Sequence, residues 1–312
     1  MILFIIKSIE VIVIKTYYIE KMDKHKIIGR KIQFENDNIK IYIDLEKEKN
    51  ARKLVKRLLL NEINNVVIDK ELITCEKLIN LLKSNDIKIF DGKWLEKYLI
   101  LDILEYIITR KQIIKAETEI AITANEITDL LIEMIKILSK QYKKLTIVTN
   151  HIEKLRKIEK EIKEKEGILI ILSNNKNKSL LKSQVIINMD FNQELINQYK
   201  IYEEAIIINA EENIKIDAIR FNGIVINDYE IEIGRKEFIW REGIEKYRQR
   251  YLIEAELYVR DTFKNIRKKI QKNNIKIKEL YGINGIIKIW IKKMQNIFVL
   301  YFLFNIYLVN PY

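Results

Sequence analysis

Between Thr118 and Phe191 the chain repeats one pattern, a short apolar run followed by a longer stretch with charges spaced as on a helix. The runs are TEIAITAN (118–125), LTIVTNH (145–151), ILIILSNN (168–175) and QVIINMDF (184–191), and AIIINAEE (205–212) supplies a fifth. Charged helices separate the first three, and a short helix is expected before the fourth. Brief strands alternating with helices are the pattern of a parallel sheet whose faces are covered by crossover helices. The expectation is a doubly wound α/β domain. In such sheets ligands bind at the carboxyl ends of the strands. The residues placed there, and hence the candidate ligand contacts, are Asn125, Asn150, His151 and Asn188, with Asp190 just beyond.

A similar but less regular alternation precedes it. IKIYIDL (39–45), NNVVIDK (64–70) and IKIF (87–90) read as strands. The helix between the first two carries Leu54, Leu58 and Leu59; the next, with Thr74 as expected N-cap, carries Leu78, Leu81 and Leu82. From Trp94 to about Ile113 the chain is apolar on most sides, the mark of a buried helix. The fold expected is therefore α/β, with two doubly wound, Rossmann-like units joined by this long apolar helix and followed by a mixed C-terminal extension. Its divisions are a lead-in (1–30), a first unit with the connector (31–113), a second unit (114–212), a region of short strands, turns and a basic helix (213–285), and an apolar tail (286–312).

Neither end reads as a membrane span. Lys7, Glu10 and Lys15 interrupt the apolar opening, no signal-peptide cleavage site follows, and Met22 offers an alternative start. At the other end Ile297 to Val309 is nearly unbroken apolar sequence but falls short of the roughly 18 residues a span needs. With Lys288, Lys292 and Lys293 before it, this tail reads as an interfacial helix, a docked C-terminal helix or an out-of-frame extension of AT-rich coding sequence.

The net charge of +12 raises nucleic acid as a partner. Ile, Lys, Asn and Tyr are over-used, however, and Lys far exceeds Arg, whereas phosphate forks favour Arg. The charge is read first as AT-rich codon bias and solvated helix faces. The basic helix expected from Ile253 to Asn273 has Arg260, Lys264, Arg267, Lys268, Lys269 and Lys272 outside, with Tyr258 the one stacking residue nearby. Asp44, Asp69 and Asp91, each ending a strand of the first unit, could gather Mg²⁺, but Asp at such places usually caps the following turn. Two His (25 and 151) and a single Cys (75) give no zinc-ligand spacing, so no metal is expected. Cys75 is expected to be a structural thiol in a cytoplasmic protein.

Residues 118–191 resemble the cofactor-binding half of the shikimate dehydrogenase and glutamyl-tRNA reductase group. The resemblance is carried by Thr149-Asn150-His151-Ile152-Glu153-Lys154, similar to that group's N-R-T-x-x-K-A motif, and by Ser183-Gln184-Val185-Ile186-Ile187-Asn188, similar to its A-D-I-V-I-N-A-T strand. The whole chain also resembles a family found in low-GC anaerobic bacteria, to which no activity attaches. Membership of the first group implies NAD or NADP, bound by a G-x-G-x-x-G/A turn after the first strand. Here that turn is Ala124-Asn125-Glu126-Ile127-Thr128-Asp129, without a glycine and with two acids where pyrophosphate should sit. His151 stands where NADP-binding members carry Arg. Their catalytic Lys–Asp pair has no counterpart in 39–113, and Cys75 is not in the context of the reductase nucleophile.

The reading from sequence is therefore a non-catalytic or regulatory protein on a degenerate Rossmann-like scaffold, without cofactor. A divergent NAD(P)-dependent oxidoreductase and a weak nucleic-acid binder are the alternatives.

Overall fold

The computed structural model describes residues 15–22, 31–142, 144–167, 169–234, 244–258 and 262–289. His25, Arg260, the first 14 residues and the tail beyond Ile289 lie outside them, so the expectations placed there stay as sequence readings. The chain divides into two compact units. Unit 1 runs to Leu95 and resumes from Arg235 to Lys269; unit 2 takes Glu96–Gly234 and the chain from Ile270.

Unit 1 begins with β1 (Tyr17–Lys21), β2 (Ile32–Glu35), β3 (Asn38–Ile41), α1 (Glu48–Leu60), β4 (Asn65–Ile68), α2 (Glu76–Ser84) and β5 (Lys88–Ile89). Its sheet has the order β2-β3-β1-β4-β5. All neighbours are parallel except the β2–β3 hairpin, whose turn holds Asn36 in the left-handed region at φ 53°. β1 is thus internal, paired to β3 on one side and β4 on the other, although its residues read from sequence as part of a lead-in. Ile19 at its centre is fully buried with Ile39, Ile41, Val66 and Ile68, against Leu54, Val55 and Leu58 of α1 and Leu78 and Leu82 of α2. Successive strand residues point to opposite faces, so Tyr18 and Val67 face away from α1 and α2.

The apolar connector is α3 (Lys93–Lys111), and the division between units falls in its first turn. Leu99, Ile100, Ile103, Leu104, Ile107 and Ile108 are all buried.

Unit 2 continues with β6 (Glu119–Thr123), α4 (Asp129–Leu138), β7 (Lys144–Val148), α5 (Ile152–Glu166), β8 (Ile171–Ser173), β9 (Val185–Asn188), α6 (Gln193–Ile196), β10 (Ile206–Asn209), β11 (Ile224–Ile226) and β12 (Asp228–Ile233). Its main sheet is wholly parallel, in the order β11-β10-β9-β6-β7-β8. Numbered from β6 this is 6-5-4-1-2-3, the strand order of dinucleotide-binding domains. The expected α/β, Rossmann-like fold is present. Helical cover is uneven: turns, not a short helix, join β8 to β9, and α6 has one turn. That face is filled instead by Leu180, Phe191, Ile196, Ile201, Ile214 and Ile216 from irregular chain.

The chain then forms α7 (Gln249–Leu257) in unit 1 and α8 (Phe263–Lys272), so the basic helix expected over 253–273 is two helices. β13 (Ile275–Gly282) and β14 (Gly285–Ile286) close a small antiparallel sheet with β12. Among the described residues no helix is long and apolar enough to cross a membrane.

Candidate functional site

The strand order of unit 2 reverses between β6 and β9, and the crevice above their carboxyl ends is where such a fold binds ligand. In a dinucleotide-binding domain, backbone N–H groups of the turn after the first strand would meet pyrophosphate. Here the N–H of Asn125 donates to both oxygens of the Asp190 carboxylate, at 2.9 and 2.7 Å, and the N–H of Glu126 donates to one of them at 2.7 Å. Asp190 follows β9, so it reaches this turn across the switch point. A side-chain carboxylate of the chain itself takes the place of an anionic ligand. Burial pushes its carboxyl above the ordinary value; the two N–H bonds pull it down, and Glu126 and Glu211 push it up again. Glu211 in turn pairs with Lys97 at 2.7 Å.

The turn has no glycine because nothing has to approach its backbone closely. Thr128 caps α4, its hydroxyl accepting from the N–H of Leu131 at 3.2 Å, and Asp129 suits the positive end of the helix. The Asn125 side chain binds the neighbouring strand end: its Oδ1 accepts from the N–H of Asn150 at 2.9 Å and from the Thr149 hydroxyl at 3.4 Å. Asn125, Asn150 and His151 therefore lie together above β6 and β7, with Asn150 and His151 exposed. His151 occupies the N-cap position of α5, but its side chain makes no capping bond.

Asn188 differs from these three. It is wholly buried, and every hydrogen-bonding position of its amide is filled. Its Oδ1 accepts from the Thr123 hydroxyl at 2.5 Å and the N–H of Phe191 at 3.1 Å. Its Nδ2 donates to the Phe191 carbonyl and to Asn209 Oδ1, each at 2.8 Å. The chain of amides continues. Asn209 Nδ2 donates to Asn227 Oδ1 at 2.9 Å and to the Glu212 carbonyl at 2.8 Å; Asn227 clasps Ile214 through both backbone groups, at 2.9 and 3.0 Å. Three buried asparagines thus tie the carboxyl ends of β9, β10 and β11 together. Sequence reasoning passed over Asn209 and Asn227, although a signal exists: VIIN, IIIN and IVIN end three successive strand segments.

In unit 1 the strand-ending aspartates act on backbone. Asp44 accepts from the N–H of Glu46 at 3.0 Å, Asp91 from that of Lys93 at 3.0 Å, and Asp69 from those of Leu72 (2.7 Å) and Lys21. Among the described residues no group of three or more His, Cys, Asp or Glu side chains could hold a metal ion. Cys75 is buried at the N-cap of α2. Burial pushes its thiol up, and Sγ lies 3.4 Å from the Leu45 carbonyl. That is the setting of an inert thiol.

No family model matches the chain, and no curated protein matches it. Among solved structures it is similar to L-tryptophan dehydrogenase from Nostoc punctiforme, at 11% identity and a TM-score of 0.26, over 55% of this chain and 49% of that one. The chain thus spans about half the length of that dehydrogenase. It is also similar to a "putative aspartate carbamoyltransferase" from Trypanosoma cruzi, at 13% identity and a TM-score of 0.26, over 66% of this chain and 74% of that one. Likenesses this distant carry no argument about ligand or activity.

Proposed function

We propose that this is a non-catalytic or regulatory protein built on a Rossmann-like unit that has closed its own cofactor site. The observation that carries the reading is the Asp190 carboxylate on the N–H groups of Asn125 and Glu126. A dinucleotide entering there would have to displace a bonded carboxylate and set its pyrophosphate beside Glu126 and Asp190, with Asp129 in the first turn of α4. Asn188, a candidate contact by sequence, is committed to the amide chain, so Asn125, Asn150 and His151 remain as the ligand edge. A cytoplasmic location belongs to this reading, supported by a buried free thiol at Cys75.

Isothermal titration calorimetry of the protein with NAD, NADP, their reduced forms and simple nucleotides tests the proposal. No saturable heat is expected. Saturable binding of a nicotinamide cofactor would overturn it in favour of a divergent oxidoreductase related to shikimate dehydrogenases, the reading that the 6-5-4-1-2-3 strand order favours on its own.

A further inference from the structure

Unit 1 meets the same problem at the edge of its own sheet and solves it with distant chain. Its helices α1 and α2 cover one face, leaving Tyr18, Val67 and Phe90 on the other. That second face is covered by Tyr247 and Tyr251, from the segment 244–258 that contains α7. Tyr18 and Tyr247 meet edge to face at 5.8 Å, and Tyr258 meets Phe90 and Trp94 in the same way, at 5.3 and 5.2 Å.

The segment also crosses the carboxyl ends of three neighbouring strands. At β1, Lys246 Nζ pairs with Glu20 at 2.8 Å. Past β4, the N–H of Lys70 donates to the Lys246 carbonyl at 2.8 Å and its Nζ to the Glu245 carbonyl at 2.9 Å. Past β5, the carboxylate of fully buried Glu254 accepts from the N–H of Gly92, and from that of Trp94 at 3.3 Å. Gly92 holds φ 88°, a backbone conformation that glycine adopts without strain, and the Arg250 side chain lies against it.

We propose that residues 244–258 form a releasable strap over the carboxyl edge and open face of the first sheet, an autoinhibitory contact latched by Glu254. Docked, the strap fills the place where a parallel sheet takes its ligand. Released, it uncovers the Tyr18–Val67–Phe90 face and the N–H groups of Lys70, Gly92 and Trp94. Two features make it separable. Its buried contacts form a cluster distinct from the core that joins α1 and α2 to the sheet, which it does not enter. A helix of nine residues has little stability of its own, so α7 is ordered by docking and is lost as one piece on release. The proposal concerns unit 1 and stands apart from the reading of Asp190.

Amide hydrogen exchange of the full chain tests it, because adjacent amides have partners on opposite sides of the strap. The N–H of Asp69 bonds to Ile19 in the sheet while that of Lys70 bonds to the strap; Phe90 bonds to Val66 while Gly92 bonds to Glu254. After correction for intrinsic rates, Lys70, Gly92 and Trp94 are expected to share one protection factor, at least tenfold below those of Asp69 and Phe90. Tyr251→Ala should lower that shared factor at least tenfold further and leave Asp69 and Phe90 unchanged. Equal protection across all five amides in the natural protein would overturn the proposal. So would a Tyr251→Ala protein that loses protection at all five together, or that does not fold.

Discussion

Replacing Asn209 with alanine is expected to weaken unit 2 by about 2–4 kcal/mol, taking roughly 0.5–1.5 kcal/mol for each hydrogen bond lost. Three bonds go: from Asn188 Nδ2, to Asn227 Oδ1 and to the Glu212 carbonyl. Asn188 keeps its bond to the Phe191 carbonyl and Asn227 keeps Ile214, so neither amide is stranded, which holds the cost below that of a whole orphaned side chain. The position is buried to 0% exposure, so water does not replace what is removed. Urea unfolding followed by NMR at the amides of Ile187 and Ile208 reads the local stability of β9 and β10. Asn150→Ala is the control. Asn150 is exposed, and the bond it makes to Asn125 uses its backbone, so a change within about 0.5 kcal/mol is expected there. If Asn209→Ala also falls within about 0.5 kcal/mol, the amide chain does not hold the strand ends together and the argument for it fails.

Burial pushes the Glu254 carboxyl up to about 8 from an ordinary 4.5, with Asp91 adding to the rise and Lys88 and the N–H groups of Gly92 and Trp94 opposing it. Below pH 4.5 both folded and unfolded chains hold this proton, so its contribution to stability is complete. Between 4.5 and 8 the unfolded chain releases a proton that the folded one keeps, and stability falls as pH rises, levelling above about 8. Burial raises Asp69 and Asp190 in the same direction. Urea midpoints measured from pH 5 to 9 should therefore decline, and Glu254→Gln should flatten the decline; midpoints that rise with pH would contradict the assignment. A chain begun at Met22 lacks β1, the strand between β3 and β4, and its unit 1 should lose cooperative unfolding altogether. Native-like unfolding of unit 1 in that truncation would show that β1 is dispensable.

Most of unit 2 was legible in the sequence because buried parallel strands are near-continuous Ile and Val runs, set off by helices whose charges make their period plain. What the local pattern could not convey was partnership. Tyr17–Lys21 sits in an apolar opening with no turn residue to delimit it, so nothing local marks it as the strand that β3 and β4 share. The covering of Val67 and Phe90 by Tyr247 and Tyr251 depends on chain far removed in sequence, and no period announces it. At the candidate site, the missing glycines gave half of the answer, a turn unfit for pyrophosphate. The other half was Asp190, an acid just beyond a strand end, whose reach to Asn125 and Glu126 depends on β9 lying beside β6. Asn125, Asn150 and His151 were gathered correctly by their places at strand ends. Asn188 had the same kind of place but a different fate, because Thr123, Phe191 and Asn209 surround it.

The central claim is that Asp190 occupies the anion position of the second sheet. NMR chemical shifts of the Asn125 and Glu126 amides test it directly, followed first against pH and then against added NAD(H) and NADP(H). The account predicts that both amides titrate together with the Asp190 carboxyl, at a midpoint above its ordinary 3.8, that Asp190→Asn abolishes this titration, and that the nucleotides move neither signal. Amides indifferent to the ionisation of Asp190 but shifted to saturation by a nicotinamide nucleotide would contradict it.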